Sequence, residues 1–239
     1  MVSKFLWRNR AYYLPEEGMN YDNTDLHFLH RHCIKRFGEE EGEKIYFRAS
    51  KLYAELVVTT DYQNSAEAER QLKMLIFPVI AYYKTLRAFG YTEDSALGYV
   101  RLETEKAARN CADVLADQKR KLFPFHAFKR NIKKFMASKF PAPACKYADL
   151  CVRGKKISFQ IKQCIYYGIS IKFGCPELCT VFCEYGRIAF AGLVSANFAL
   201  KLKFAGYENK KICPRESRSV RNRNGLPAEM VVLVLGKAL

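Results

Sequence analysis

Apolar residues recur every three to four positions through the first half of the chain, a period that predicts helices. Asn23 or Thr24 is placed to cap a short helix through His27 and Cys33. In RFGEEEGEKIYFRASKLYAEL, Glu39, Glu40 and Glu41 suit a helix start, where acids meet the positive end of the dipole. Ile45, Ala49, Leu52, Tyr53 and Leu56 then fall on one stripe. A third helix is expected from Ala66 to Phe89, with Leu72, Leu75, Ile76, Val79, Ile80, Tyr83 and Leu86 inward and Gly90 at its C′ position. Thr92 caps a fourth, whose stripe is Leu97, Val100, Thr104, Ala107, Cys111 and Leu115. Helices of this kind pack as a bundle.

The pattern then changes. In FPFHAFKRNIKKFMASKF, Phe128, Ile132, Phe135 and Met136 share a face opposite Lys129, Arg130, Lys133 and Lys134. Such a helix can lie on a membrane or a partner, or pack on its own core. Pro141-Ala-Pro-Ala144 breaks the chain. Ile157, Phe159 and Ile161 alternate with polar residues, as in a half-buried strand. Gln163 to Phe173 fits helix or strand, with helix favoured. A further helix opens at Gly174-Cys175-Pro176, with Pro176 at N1, Glu177 in the first turn and Gly186 as its stop. Phe198 to Phe204 and Lys210 to Cys213 read as strands around a turn at Gly206 to Asn209. Beyond Arg215 the chain is polar and basic, then ends in VVLVLGKAL, an edge strand or an aggregation-prone segment.

These elements define an α+β chain: an N-terminal helical bundle packed with a small antiparallel sheet and helices in the C-terminal half. Residues 1–140 are the mainly helical region and 141–216 a cysteine-rich α+β region, continuous with it as one domain. Residues 217–239 form a basic, then apolar, tail.

The chain has 239 residues and 49% apolar side chains, enough for a sizeable core. Its formal charge of +16 favours anionic partners without choosing among them. The first residues carry no secretory pattern, and no apolar run reaches transmembrane length. The longest, Met74 to Tyr83, contains Pro78 and reads as a buried helix. A cytoplasmic location follows as the expectation, with the nine cysteines as reduced thiols.

Six of those cysteines lie between Cys145 and Cys183. Cys175, Cys179 and Cys183 stand four apart, on one helical face and spanning about 12 Å. One zinc ion, with sulfurs about 2.3 Å away, does not bridge that span. No CxxC occurs, and neither a metal nor another cofactor is expected. At a helix N-cap the Cys175 thiol would be acidified by exposed amides and the dipole; a buried core thiol is the alternative, and Cys179 fits it best. His27, His30 and His32 cluster with Cys33, as metal ligands or as surface residues. No phosphate loop, dinucleotide fingerprint, HExxH or GxSxG is present.

From Lys162 to Cys213 the chain resembles the L-2-amino-thiazoline-4-carboxylic acid hydrolase family. The matching elements are Cys164 ahead of a short helix, GCPEL at Gly174 to Leu178, Phe182-Cys183 and, at the end, Cys213, with Phe198 to Gly206 in place of the family's basic, threonine-rich strand. RFGEEEGEKIYFRASKLY and LKMLIFPVIAYYKTLRAFGYTEDSAL resemble the family's earlier helices, so the likeness covers residues 35–214. It implies opening of a cyclic amidine: water adds at the ring carbon between nitrogen and sulfur, giving a carbamoyl-cysteine-type product. By position it carries over Cys164, Cys183 and Cys213, one as nucleophile and the others shaping the pocket. Glu177 or Glu184 would move protons, Lys201 or Lys203 would hold the substrate carboxylate, and Cys175 would line the binding side. Three positions depart from the family pattern. Gly186 stands in place of an aspartate, Lys201-Leu202 in place of Arg-Thr, and Cys213-Pro-Arg in place of Cys-Asp-Phe. Two candidate acids or bases are thereby lost.

The expected function is thus hydrolysis of a small cyclic amidine or amide carboxylate, with a small anionic ring as partner. A non-catalytic ligand binder on the same scaffold is the alternative. A nucleic-acid or anionic-surface binder, using Lys129 to Lys139 and Arg215 to Arg223, ranks last. A homo-oligomer is compatible with the sequence.

Overall fold

The computed structural model describes residues 20–62, 65–116, 130–139, 142, 145–153, 156–191, 198–205 and 228–235. The chain divides into two units, Met1–Asp61 with Gln71–Ala96, and Tyr62–Arg70 with Leu97–Leu239. Helix dominates the described residues.

In the first unit, Thr24 sets the entry. Its hydroxyl accepts the Leu26 N–H at 3.1 Å, opening the turn that leads into α1, Leu29–Phe37. Gly38, at φ 84°, ends α1 and begins α2, Glu39–Thr59. That conformation is open to glycine and costly for residues with a Cβ. Ile45, Ala49, Tyr53 and Leu56 are buried, as their spacing predicts.

The long helix expected from Ala66 forms as α3, Ala66–Gln71, a π turn, Leu72–Ile76, and α4, Phe77–Ala88. Pro78 explains the interruption. Proline has no N–H, and its ring crowds the carbonyl four residues back. That carbonyl, Met74 O, accepts instead from the Asp25 N–H at 2.8 Å. The neighbouring Lys73 carbonyl takes the Tyr53 hydroxyl at 3.0 Å. The Pro78 carbonyl takes that of Tyr21 at 2.8 Å. All seven residues of the expected stripe are buried, and so are Phe77, Ala81 and Tyr82, so α4 is enclosed nearly all round. Gly90, at φ 88°, follows it as expected.

Thr92 caps α5, Glu93–Ala116, by accepting the Ser95 N–H at 3.2 Å. Leu97, Val100, Thr104 and Ala107 are buried along it in the second unit. In α6, Ile132–Lys139, Ile132 and Met136 are buried while Lys133 and Lys134 are exposed. Its apolar face therefore packs on protein. Phe128 lies outside the described residues.

Four strands follow: β1, Lys146–Arg153; β2, Lys156–Gln163; β3, Phe198–Ala205; and β4, Ala228–Leu235. Between β2 and β3 lie α7, Ile165–Lys172, and α8, Leu178–Ala191. The strand order is β1-β2-β4-β3. β1 and β2 are antiparallel, whereas β4 runs parallel to both β2 and β3. The sheet is therefore mixed, where the sequence led to the expectation of a small antiparallel one. The C-terminal apolar run is also not an edge: it lies between two strands. Continuous apolar sequence such as Val231 to Leu235 is the mark of a strand in parallel pairing. β1 has no counterpart in the sequence reading; its register shifts between Ala148 and Cys151, around Asp149 at φ 56°. The strand expected at Lys210 to Cys213 lies outside the described residues. No helix among the described residues is long and apolar enough to cross a membrane.

Candidate functional site

The cysteine-bearing segment is built from the end of β2, α7 and α8. Cys164 takes extended backbone angles, φ −116° and ψ 121°, at the N-cap of α7. Gly174, at φ 66°, terminates that helix, and the Cys175 N–H returns to the Ser170 carbonyl at 2.9 Å. The chain then turns through Cys175, Pro176 and Glu177. Their carbonyls accept from Leu178, Cys179 and Thr180 at 3.1, 3.1 and 3.3 Å. The Thr180 hydroxyl adds a bond to the Glu177 carbonyl at 3.0 Å. Glycine thus supplies the reversal, and the turn points the chain into α8.

α7 meets α8 through a stacked pair, Tyr166 and Phe182, with centroids 5.2 Å apart. Each ring stands close in sequence to a half-buried cysteine, Cys164 on one side and Cys183 on the other. Cys175 and Cys179 are buried, at 0% and 6% exposure. Cys179 is a core residue, as its neighbours predict. Cys175 sits ahead of α8, yet it is enclosed rather than presented to solvent. Gly186 does not stop α8, which continues to Ala191. Burial of Phe182, Tyr185 and Ala189 outweighs the roughly 1 kcal/mol that a mid-helix glycine costs.

The thiol of Cys164 is pushed up by burial, against the pull of the Tyr167 and Tyr166 amides. Cys145, absent from the expected site, lies beside it. Its sulfur accepts the Ile165 N–H at 3.4 Å. Burial, with the neighbouring Cys164 adding to it, raises the Cys145 thiol to about 12. At neutral pH both are therefore thiols rather than thiolates.

Glu177 is half-buried in the turn before α8. Glu184 is exposed and bound by Arg187 three residues on. That hydrogen bond raises the Arg187 pKa further, and the charge of Glu105 adds to it. Arg101 of α5 reaches the Thr180 hydroxyl at 3.4 Å, so α5 and α8 share a polar rim. Lys201 and Lys203 lie on β3, paired in register with Val231 and Leu233. Their side chains, and Cys213 altogether, lie outside the described residues.

Two features escaped the sequence reading. Cys145 becomes visible only through strand register. Glu103 is fully buried on α5, beside the predicted stripe; helical spacing one turn from Val100 and Ala107 was the available signal. The described histidines are engaged with rings: His27 and His32 on Phe28, and His30 on Tyr46 with Glu43 at 2.8 Å. Among the described residues, no three metal-ligating side chains gather. Comparison with family models, curated proteins and solved structures finds no match for this chain.

Proposed function

We propose that the chain opens a small cyclic amidine or amide that carries a carboxylate, of the 2-amino-thiazoline-4-carboxylate type. The observation that supports the reading is the Tyr166–Phe182 stack, which packs α7 on α8, the first preceded by Cys164 and the second carrying Cys183. The resemblance of the 162–213 block supplies the substrate class. In this reading water adds at the ring carbon and the ring opens to a carbamoyl-cysteine-type product. In ring opening Cys164, held mainly as a thiol by burial, shapes the pocket and offers an S–H donor. Nucleophilic or water-activating work then falls to Cys183, Cys213 and the half-buried Glu177. Lys201 or Lys203 pairs with the substrate carboxylate. The chain acts in the cytoplasm on this account, without a cofactor.

The test is ring opening by the purified full chain, beside Cys164→Ala, Cys183→Ala and Cys213→Ala proteins checked for folding by circular dichroism. The expected result is turnover by the parent, lost by at least tenfold in Cys183→Ala or Cys213→Ala and reduced less in Cys164→Ala. Absence of turnover in the parent overturns the proposal.

A second reading is a ligand binder without turnover. Two observations favour it: burial suppresses the Cys164 thiolate, and Glu184 is committed to Arg187. Saturable stabilisation by the ring compound without product would support it, and cysteine-dependent turnover would remove it.

A further inference from the structure

The antiparallel ladder of β1 and β2 pairs Lys146 with Gln163. Continued one step past the strand ends, beyond the register shift between Lys146 and Tyr147, that pairing would bring Cys145 across from Cys164. Opposed residues in antiparallel strands have Cα atoms about 4.5–5.5 Å apart. A disulfide spans Cα separations of about 4.4–6.8 Å. A hydrogen bond confirms the approach independently: the Ile165 N–H, next in the chain to Cys164, meets the Cys145 sulfur at 3.4 Å. Both cysteines are free thiols, one buried and one half-buried.

We propose that Cys145 and Cys164 form a dithiol–disulfide pair, oxidised by small-molecule disulfides of the glutathione type. The two cysteines have unequal access. Cys164 is half-buried where Cys145 is buried, and the amides of Tyr167 and Tyr166 partly offset the burial that keeps its thiolate scarce. It is the first to react. Its thiolate attacks one sulfur of the small disulfide, forms a mixed disulfide, and releases one small thiolate, which takes up the proton that Cys164 gave. Cys145 then loses its proton and attacks the Cys164 sulfur. The Cys145–Cys164 bond forms, and the second small thiolate leaves and is protonated. The protein gives up two electrons and two protons, and the small disulfide becomes two thiols. The high pKa of Cys145 keeps its thiolate scarce, so this second step is slow at neutral pH and accelerates as pH rises.

The bond would tie the start of β1 to the entry of α7. Where Cys164 serves the proposed pocket, closing the bond withdraws its S–H. The pairing itself does not depend on any hydrolytic activity.

The experiment incubates the full chain with oxidised glutathione, quenches free thiols with an alkylating agent, and maps disulfide-linked peptides by mass spectrometry. The expected result is a linked Cys145–Cys164 peptide as the main product, two hydrogens lighter than the reduced pair and restored by dithiothreitol. In Cys145→Ser the reaction is expected to stop at a glutathione adduct on Cys164. The proposal is overturned if Cys164 in the parent keeps glutathione, links mainly to another cysteine, or stays reduced while Cys183 is modified. Should Cys145→Ser fail to fold, the linkage map of the parent decides alone. Ring-opening activity is not read, so failure here is distinct from failure of the hydrolase proposal.

Discussion

Single side chains close the polar accounts that Pro78 opens. Tyr53 and Tyr21 each donate to a carbonyl of the π turn and the helix after it. Removing the Tyr53 hydroxyl leaves the Lys73 carbonyl, which faces the N–H that Pro78 lacks, short of a partner, and removing that of Tyr21 takes a buried second bond from the Pro78 carbonyl; each costs about 1–2 kcal/mol. Tyr53→Phe and Tyr21→Phe are therefore each expected to lower the unfolding free energy by that much, seen as a lower urea midpoint at unchanged slope. An unaffected midpoint would show that these bonds contribute nothing. Burial also makes these groups sensors of high pH. It raises Tyr53 from 10.0 to about 12 and Cys145 from 9.0 to about 12. A raised folded pKa means that the native state holds protons the unfolded chain has already released. Stability from these groups is therefore complete below about pH 9 and falls as pH climbs through the folded values. Urea midpoints measured from about pH 8 to pH 11 should decline, beginning at the thiol's unfolded value. A flat profile would contradict the burial of both groups. Tyr53 lay on a predicted apolar stripe, but the carbonyl partners of Tyr53 and Tyr21 were not legible, because they depend on where a distant π turn and the helix after it expose their backbone.

At the scale of elements, α1 and α2 approach so closely that only glycine fits between them. A Cβ on Gly42 would stand 2.7 Å from the Cys33 carbonyl carbon and oxygen and from the Ile34 Cα. These are backbone atoms, which cannot rotate away. Gly42→Ala is expected to cost about 1–3 kcal/mol by overpacking. Gly98 makes the opposite case. It is interior to α5, and a Cβ there meets nothing within 4 Å. Gly98→Ala should stabilise by roughly 0.5–1 kcal/mol through helix propensity. Thermal unfolding of the two variants should move in opposite directions, and a shared sign would refute the packing account. Helix existence was legible because the apolar stripes of α2, α4 and α5 hold their period over several turns. The π turn was not, because one proline in an apolar run carries no statement of which helical form absorbs it. The end of α8 was misjudged for a related reason. Gly186 has the propensity of a stop, but the buried residues on either side outweigh it.

Across the whole molecule, the late strand β4 has the largest consequence. It pairs with β2 on one side and β3 on the other, so it joins strands that no other described strand bridges. Truncation before Ala228 is expected to separate β3 from the β1–β2 hairpin and to leave exposed strand edges that favour aggregation. Truncation after Leu235 should keep the sheet. Hydrogen exchange on β2 amides distinguishes the outcomes. The β2 amides that bond to β1 keep their protection in the hairpin, so protection retained without β4 at the alternate amides of Lys156 to Ile161 that face β4 would overturn this assignment. The segment looked peripheral because parallel partners are distant in sequence and leave no turn signal between them.

The sequence by itself determined which stretches are helical, where Gly90 and Thr92 punctuate them, and that the cysteines concentrate around Cys164 to Cys183. These properties are local: period, capping chemistry and composition act within a few residues. Only the tertiary structure decided that Cys175 is enclosed, that Glu103 is buried, that the terminal run is an inner strand, and that Cys145 lies beside Cys164. Those outcomes depend on register and packing between residues far apart in the chain. Loop closure and burial set them, and no short-range signal records them.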